Sequence, residues 1–305
     1  VVTNDNGAEP VTVPDGTFTN DNTPLLSGEA EPASLVIIYD GDVVLGSTIA
    51  TAGGTWSFSS PALTDGEHTL TATVTDALGN VSAPSSSFTL QVDATPPQPV
   101  SGLLVQNDND ADNPATIASG GATNDNTPLL SGRGEPDTTV SVYDNNALVG
   151  SATVGNDGSW SLNTNPLPNG SYNLSVIVSD AAGNSSEPVN VSLTINTIAP
   201  DPVLTFDIYD NNGSAPELVS NNGFTNDSTP VLRGTAAAGA LVTLLQGDTV
   251  IGSAQADASG VWRFETGALD DGTYAFSVQV VDAAGNVSVP TGPVTINIDT
   301  VAPAP

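Results

Sequence analysis

Oxygen-bearing side chains recur in this sequence at spacings that could bind a hard cation. Asp76-Ala77-Leu78-Gly79-Asn80, Asp180-Ala181-Ala182-Gly183-Asn184 and Asp282-Ala283-Ala284-Gly285-Asn286 each set a carboxylate and an amide four residues apart around a glycine. Three further segments open on Asp or Asn and run to proline: Asp93-Ala94-Thr95-Pro96-Pro97, Asn196-Thr197-Ile198-Ala199-Pro200 and Asp299-Thr300-Val301-Ala302-Pro303. Carboxylate, amide and carbonyl oxygens suit Ca²⁺, which takes about six to eight of them in irregular geometry. One ion is expected where Asp93 and the Thr95 region meet Asp180 and Asn184, with Glu135 or Asp137 completing the shell. A second such place is poorer. Asn196 stands where the linker aspartate was, and Ala236-Ala237-Ala238-Gly239 has no carboxylate, which leaves Asp201, Asp282 and Asn286 with water. The same Asp-Ala-x-Gly-Asn residues also read as an Asx turn with glycine at positive φ.

Another acidic stretch carries Asp108, Asp110 and Asp112 in alternation. The glycine and terminal glutamate of an EF-hand loop are missing, so it is not that motif. Asn4-Asp5-Asn6-Gly7 and Asp210-Asn211-Asn212-Gly213 are its counterparts, and Asp21, Asp125 and Asp227, each after an asparagine, are expected to fold back onto it. An ion here and an ordinary polar turn are both open readings.

Catalysis finds no such support. The chain has no cysteine, no lysine and one histidine, His68, which excludes a repeated triad. Carboxylates copied three times suit a scaffold better than one glycosidase site. Trp56, Trp160 and Trp262 sit in matching Gly-x-Trp settings, as core residues rather than sugar platforms. His68, Tyr172 and Tyr274 follow Asp/Asn-Gly at one corner, the setting of a tyrosine corner.

Charge bounds the partners. Thirty-four acidic residues face three bases, Arg133, Arg233 and Arg263, for a formal net charge of -31. Such a polyanion repels phosphate backbones and anionic membrane surfaces, so neither nucleic acid nor lipid is an expected partner. No run of about 18 apolar residues is present for membrane insertion. Few aromatics and high charge could signal disorder, but dense alternation of Val, Ile and Leu argues for folded strands. The chain opens in mid-pattern at Val1, so a fragment of a longer secreted protein is expected, and without cysteine its rigidity must come from something other than disulfides.

The positioning elements follow from repetition. Thr19-Asn20-Asp21-Asn22-Thr23-Pro24 returns as Thr123-Asn124-Asp125-Asn126-Thr127-Pro128 and Thr225-Asn226-Asp227-Ser228-Thr229-Pro230, in register with the tryptophans and the Asp-Ala-x-Gly-Asn segments. A period of about 100 residues is a whole domain rather than a solenoid unit. Leu70, Ala72 and Val74 alternate with threonines, and Leu174, Val176 and Val178 with Ser and Ile, and turn signals such as Asp40-Gly41 and Asp65-Gly66 punctuate the strands. The fold class is therefore all-β: three tandem immunoglobulin-like β-sandwiches over 1–95 (its first strand shortened), 96–198 and 199–299, forming an elongated rod, with 300–305 leading to a following repeat. In the middle repeat strands are expected near 100–106, 129–133, 139–143, 147–153, 159–163, 171–179 and 189–196, with one long loop reaching Pro128. Loops at the trailing pole of one sandwich then face the Asp-Ala-x-Gly-Asn loop at the leading pole of the next.

The combined signature of Thr-Asn-Asp-(Asn/Ser)-Thr-Pro, Gly-x-Trp, Asp-Ala-x-Gly-Asn and a Thr-x-x-Pro linker covers nearly the whole chain. It resembles the bacterial Ig-like repeats of giant adhesins exported by type I secretion. That resemblance implies a monomeric stalk segment at the bacterial surface, partnered by neighbouring repeats and, through the whole adhesin, by host cells in virulence. It also implies Ca²⁺ at Asp93, Asp180 and Asn184, and at Asp282 and Asn286, with Asn196 departing from the pattern. The alternative is a module that itself binds a glycan or receptor.

Overall fold

The computed structural model describes residues 1–203 and 205–302, so the last three residues of the expected 300–305 linker lie outside the described residues. The described elements are all strands. The first repeat forms β1 (Val2–Asn4), β2 (Val11–Val13), β3 (Thr17–Thr19), β4 (Leu25–Glu29), β5 (Leu35–Asp40), β6 (Val43–Ile49), β7 (Thr55–Ser59), β8 (Gly66–Thr75) and β9 (Phe88–Val92). The second forms β10 (Ser101–Asn107), β11 (Ala115–Thr116), β12 (Ala122–Thr123), β13 (Leu129–Arg133), β14 (Thr139–Asp144), β15 (Ala147–Thr153), β16 (Ser159–Asn163), β17 (Gly170–Ser179) and β18 (Val189–Ile195). The third forms β19 (Phe206–Asp210), β20 (Glu217–Val219), β21 (Gly223–Thr225), β22 (Val231–Thr235), β23 (Leu241–Gln246), β24 (Thr249–Gln255), β25 (Val261–Glu265), β26 (Gly272–Val281) and β27 (Val294–Ile298).

Each repeat pairs a four-stranded with a five-stranded sheet, ordered β2-β1-β4-β7 and β3-β9-β8-β5-β6 in the first and identically in the others. The middle strands fall where hydrophobic alternation predicts them. The long loop before Pro128 differs: it contains β11 and β12, and β12 runs parallel to β18, with Ala122 opposite Thr194 and Thr123 opposite Ile195. Two residues cannot display a period of two, so this strand is defined by its partner rather than by its own pattern. The β5–β6 and β23–β24 turns place Gly41 and Gly247 at φ 53° and 61°. The β14–β15 turn puts Asn145 and Asn146 at φ 45° and 73°, the asparagine-tolerant form of a two-residue hairpin.

Val36, Ile38, Leu70, Leu90 and Val92 fill the first core, and Ile208, Leu232, Val242, Phe276, Val278 and Ile296 the third. In the second, Val140, Val142, Leu174, Val176 and Val178 are buried completely. The chain divides into two compact units. One holds Val1–Leu104, Leu130–Leu162 and Leu174–Asn190; the other holds Val105–Leu129, Asn163–Asn173 and the chain from Val191. Residues 93–95 and 180–184 thus share the first unit, and 196 and 282–286 the second.

Candidate functional site

The Asp-Ala-x-Gly-Asn loop is built by its own aspartate. Oδ1 of Asp180 accepts the Asn184 amide at 2.9 Å, and Oδ1 of Asp282 accepts those of Ala284 and Asn286, both at 2.9 Å. Gly183 and Gly285 turn the chain at φ 93° and 89°, where a side chain would strain the backbone. In the first repeat the Asn80 side-chain and backbone amides hold the Asp76 carboxyl below its ordinary pKa. The Asx-turn reading therefore accounts for the loop's conformation.

The same loop reaches its neighbour. Nδ2 of Asn184 donates to Asp180 Oδ2 at 2.7 Å and to the main-chain oxygen of Asp93 at 2.8 Å. Nδ2 of Asn286 repeats this with Asp282 Oδ2 at 2.9 Å and the main-chain oxygen of Asn196 at 2.7 Å. The Asn124 amide adds a bond to the Ala284 carbonyl at 2.9 Å. One amide thus fixes both its own turn and the linker arriving from the preceding repeat.

A second set of residues grips the linker from behind. Asp65 Oδ1 accepts the Ala94 amide at 2.9 Å and Asp65 Oδ2 accepts the Thr95 hydroxyl at 2.5 Å. These bonds, the Ala94 amide foremost, hold the Asp65 carboxyl below its ordinary pKa. Asn169 Oδ1 accepts the Thr197 amide and hydroxyl at 3.0 Å each, and Asp271 Oδ1 those of Thr300 at 2.9 and 2.8 Å. In the sequence these Asp/Asn-Gly corners read as turns and as the setting of a tyrosine corner, not as linker contacts. Their joint recurrence with a linker threonine was the signal that could have found them.

The first linker residue sets the two junctions apart. Asn196 Nδ2 donates to Asp282 Oδ2 at 3.0 Å, while its Oδ1 accepts the Ile198 amide at 3.1 Å. Asp93, its counterpart, accepts the Thr95 amide through Oδ1 at 3.2 Å and has no donor to offer. Glu135 and Asp137 are exposed, and among the described residues neither bonds to Asp93, Asp180 or Asn184. Glu135 instead shares a shallow depression with Gln98, Pro99 and Arg133. Asp201 is exposed but lines one depression with Asp282 and the Ala236–Gly239 segment. Among the described residues no three acidic or histidine side chains gather closely enough to hold a metal.

The long acidic loop does fold back. Asp21, Asp125 and Asp227 are buried, and their Oδ2 atoms accept the amides of Asp5, Asp108 and Asn211 at 3.1, 3.1 and 2.9 Å. Their Oδ1 atoms accept the amides of Thr23, Thr127 and Thr229 at 2.9, 2.9 and 2.8 Å. Asp108 also accepts Asn163 Nδ2 at 2.9 Å, Asp110 the Asp112 amide at 3.2 Å, and Asp210 the Thr225 hydroxyl at 2.8 Å. Two backbone donors on each buried carboxylate make it a tether between the two halves of the loop.

Trp160 and Trp262 are 4% and 2% exposed, in keeping with a core role, whereas Trp56 is half-buried. Tyr172 and Tyr274 donate to the Pro168 and Asp270 carbonyls at 2.7 and 3.0 Å, four residues back. His68 substitutes for them, its Nε2 2.7 Å from the Thr64 carbonyl and its Nδ1 2.6 Å from Asp40 Oδ2. The bases are engaged as well: Arg133 on the Asp157 carbonyl, Arg233 over the Tyr209 ring and Arg263 on Glu265.

A family model described as bacterial Ig-like domain matches residues 5–94, 103–197 and 202–300. Bacillopeptidase F of Bacillus subtilis (strain 168) is 34% identical over 172 residues, 56% of this chain but only 11% of that protein's length. Among solved structures, the fibronectin(III)-like modules of Clostridium thermocellum CbhA match at 20% identity and a TM-score of 0.40, over 60% of this chain and 90% of theirs. The BSP domain of a biofilm associated protein matches at 12% identity and a TM-score of 0.24, over 92% of this chain and 64% of that one. No helix among the described residues is long and apolar enough to cross a membrane.

Proposed function

We propose that this chain, which belongs to the bacterial Ig-like domain family through each of its three repeats, is a stiff spacer segment of a secreted adhesin held at the bacterial surface. The observation that carries the reading is the junction bond made twice: Asn184 to the Asp93 carbonyl and Asn286 to the Asn196 carbonyl. Tandem domains on free linkers move relative to one another by default. A linker gripped in front by the next repeat's asparagine and behind by Asp65 or Asn169 loses that freedom. The spacer reading also suits a chain whose conspicuous polar residues are copied in every repeat.

Calcium is the proposed reinforcement at the first junction. Asp93 and Asp180 supply hard oxygens there, and a bound ion would draw its other ligands from carbonyls and water, since among the described residues no third acidic side chain joins them. The ion would neutralise charge, while Asn184 orients the linker whether or not it is present. One site filled at a hundredfold excess over its Kd adds about 2.7 kcal/mol.

Small-angle scattering of the whole chain in millimolar calcium and in EGTA tests this. A larger spread of conformations in EGTA is expected; superimposable profiles would defeat the calcium part. On a glycan array a spacer gives no signal, and specific retention there would favour a recognition module instead.

A further inference from the structure

We infer that the two junctions differ in kind: Asn196 closes the second with protein hydrogen bonds alone, so that it holds without a divalent cation, whereas Asp93 leaves the first without that bond. The inference deepens the spacer reading and rests on it for the premise that the junctions are held rather than free.

Two side-chain amides make three bonds at the second junction. Asn286 Nδ2 bonds to the Asn196 carbonyl and to Asp282 Oδ2, and Asn196 Nδ2 comes back to the same Asp282 oxygen at 3.0 Å. The result is a closed ring of two amides and one carboxylate across the linker. Both directions are satisfied, because Asn196 offers its carbonyl to the incoming loop and its side-chain amide to the loop's aspartate. Charge-assisted hydrogen bonds of this type, with an ionised acceptor, are the stronger class. The Asn124 amide on the Ala284 carbonyl braces the same loop from the side.

The first junction keeps one half of this ring. Asn184 bonds to the Asp93 carbonyl and to Asp180 Oδ2 as its counterpart does. The Asp93 side chain is turned by the same local bond, Thr95 amide to Oδ1, that Ile198 makes to Asn196. At the position of the Asn196 amide, however, Asp93 carries an oxygen. Placed as the Asn196 amide is, the second Asp93 oxygen would repel the Asp180 carboxylate where an amide would attract it. Asn196, which weakens the second junction as a calcium site, therefore acts as a positioning residue that makes the ion dispensable there.

The absence of cysteine lets spin-label pairs be introduced cleanly into the whole chain. Labels at the exposed Ser57 and Ser161 span the first junction, and labels at Ser161 and the exposed Ser253 span the second. Pulsed dipolar spectroscopy in EDTA should give a narrow distance distribution for the second pair, unchanged by calcium, and a broader one for the first. In EDTA, N196D should broaden the second pair towards the width of the first, and D93N should narrow the first towards the width of the second. The D93N gain cannot arise from misfolding, and circular dichroism checks that N196D is folded. A second pair that broadens in EDTA as much as the first, or that ignores N196D, overturns the inference, as does a first pair indifferent to D93N. If calcium narrows neither wild-type pair while both substitutions act as stated, the latch stands and the calcium-stiffening reading falls.

Discussion

His68 occupies a corner that tyrosine fills in the other two repeats, and it brings a titratable ring to that place. Both ring nitrogens face oxygen acceptors, Asp40 Oδ2 and the Thr64 carbonyl, so both bonds are made only when the ring is doubly protonated. Burial, the largest single influence, opposes that charge, but the Asp40 and Thr64 bonds together outweigh it and raise the His68 pKa above its ordinary value. A raised folded-state pKa stabilises fully below the unfolded value, near 6.5, and the contribution is lost as pH rises through the folded pKa. The first repeat should therefore lose stability from mildly acidic to mildly alkaline pH, and H68Y should remove that dependence. An NMR titration placing His68 below 6.5 would refute the assignment. The buried Asp125 makes a second residue-scale case. D125A strands the amides of Asp108 and Thr127, at a cost of about 1–3 kcal/mol each where they stay dry. Thermal melts should show that loss equally in calcium and in EGTA; a loss confined to calcium would mean that this aspartate is a ligand.

At the scale of elements, the tryptophan strands set how closely the chain may pass. A Cβ added to Gly234 would lie 2.9 Å from the Trp262 ring, and one on Gly28 2.8 Å from Trp56, so β4 and β22 need glycine opposite each indole. Trp262 also packs against Phe206 with ring centroids 6.3 Å apart, while its Nε1 has no partner among the described residues. W262A should cost about 3–5 kcal/mol in chemical denaturation, as truncation of a buried indole does elsewhere. W262F should cost clearly less, since no hydrogen bond is forfeited; equal losses would point to a polar role for the indole. The short strands β12 and β21 show the reverse dependence. Ala122-Thr123 is a strand because β18 lies beside it, just as Gly223, Phe224 and Thr225 pair in parallel with Ile296, Asn297 and Ile298.

For the molecule as a whole, the dominant quantity is a net charge of -31 with three bases, all of them engaged locally. Self-repulsion of this size opposes compactness and is screened by salt. The Debye length falls from about 30 Å at 0.01 M to about 3 Å at 1 M ionic strength. Calorimetry should thus show the melting temperature rising with sodium chloride alone. Calcium at matched ionic strength should raise it further if the first junction binds an ion specifically, and by the same amount if the ion only screens. D93N, which removes one of the two acidic side chains proposed as ligands at the first junction, should shrink the calcium-specific part.

Much of this molecule was legible without coordinates because its determinants are local and written three times. Period-two alternation located the main strands, glycine and asparagine located the turns, and the register of Thr-Asn-Asp, Gly-x-Trp and Asp-Ala-x-Gly-Asn counted the repeats. The tyrosine corner was legible too, since its donor and acceptor lie four residues apart. What the sequence could not decide was which atoms meet across distance. An acidic loop beside an acidic linker is the same string whether its carboxylates wait for a cation or already accept amides. Only the tertiary structure gave Asp21, Asp125 and Asp227 their backbone donors, brought Asp65 to the linker, and set the Asn196 side-chain amide against Asp282. The reason is physical: a side chain's type limits what it can bond to, but the choice among donors belongs to the fold that brings residues some 90 positions apart to within 3 Å.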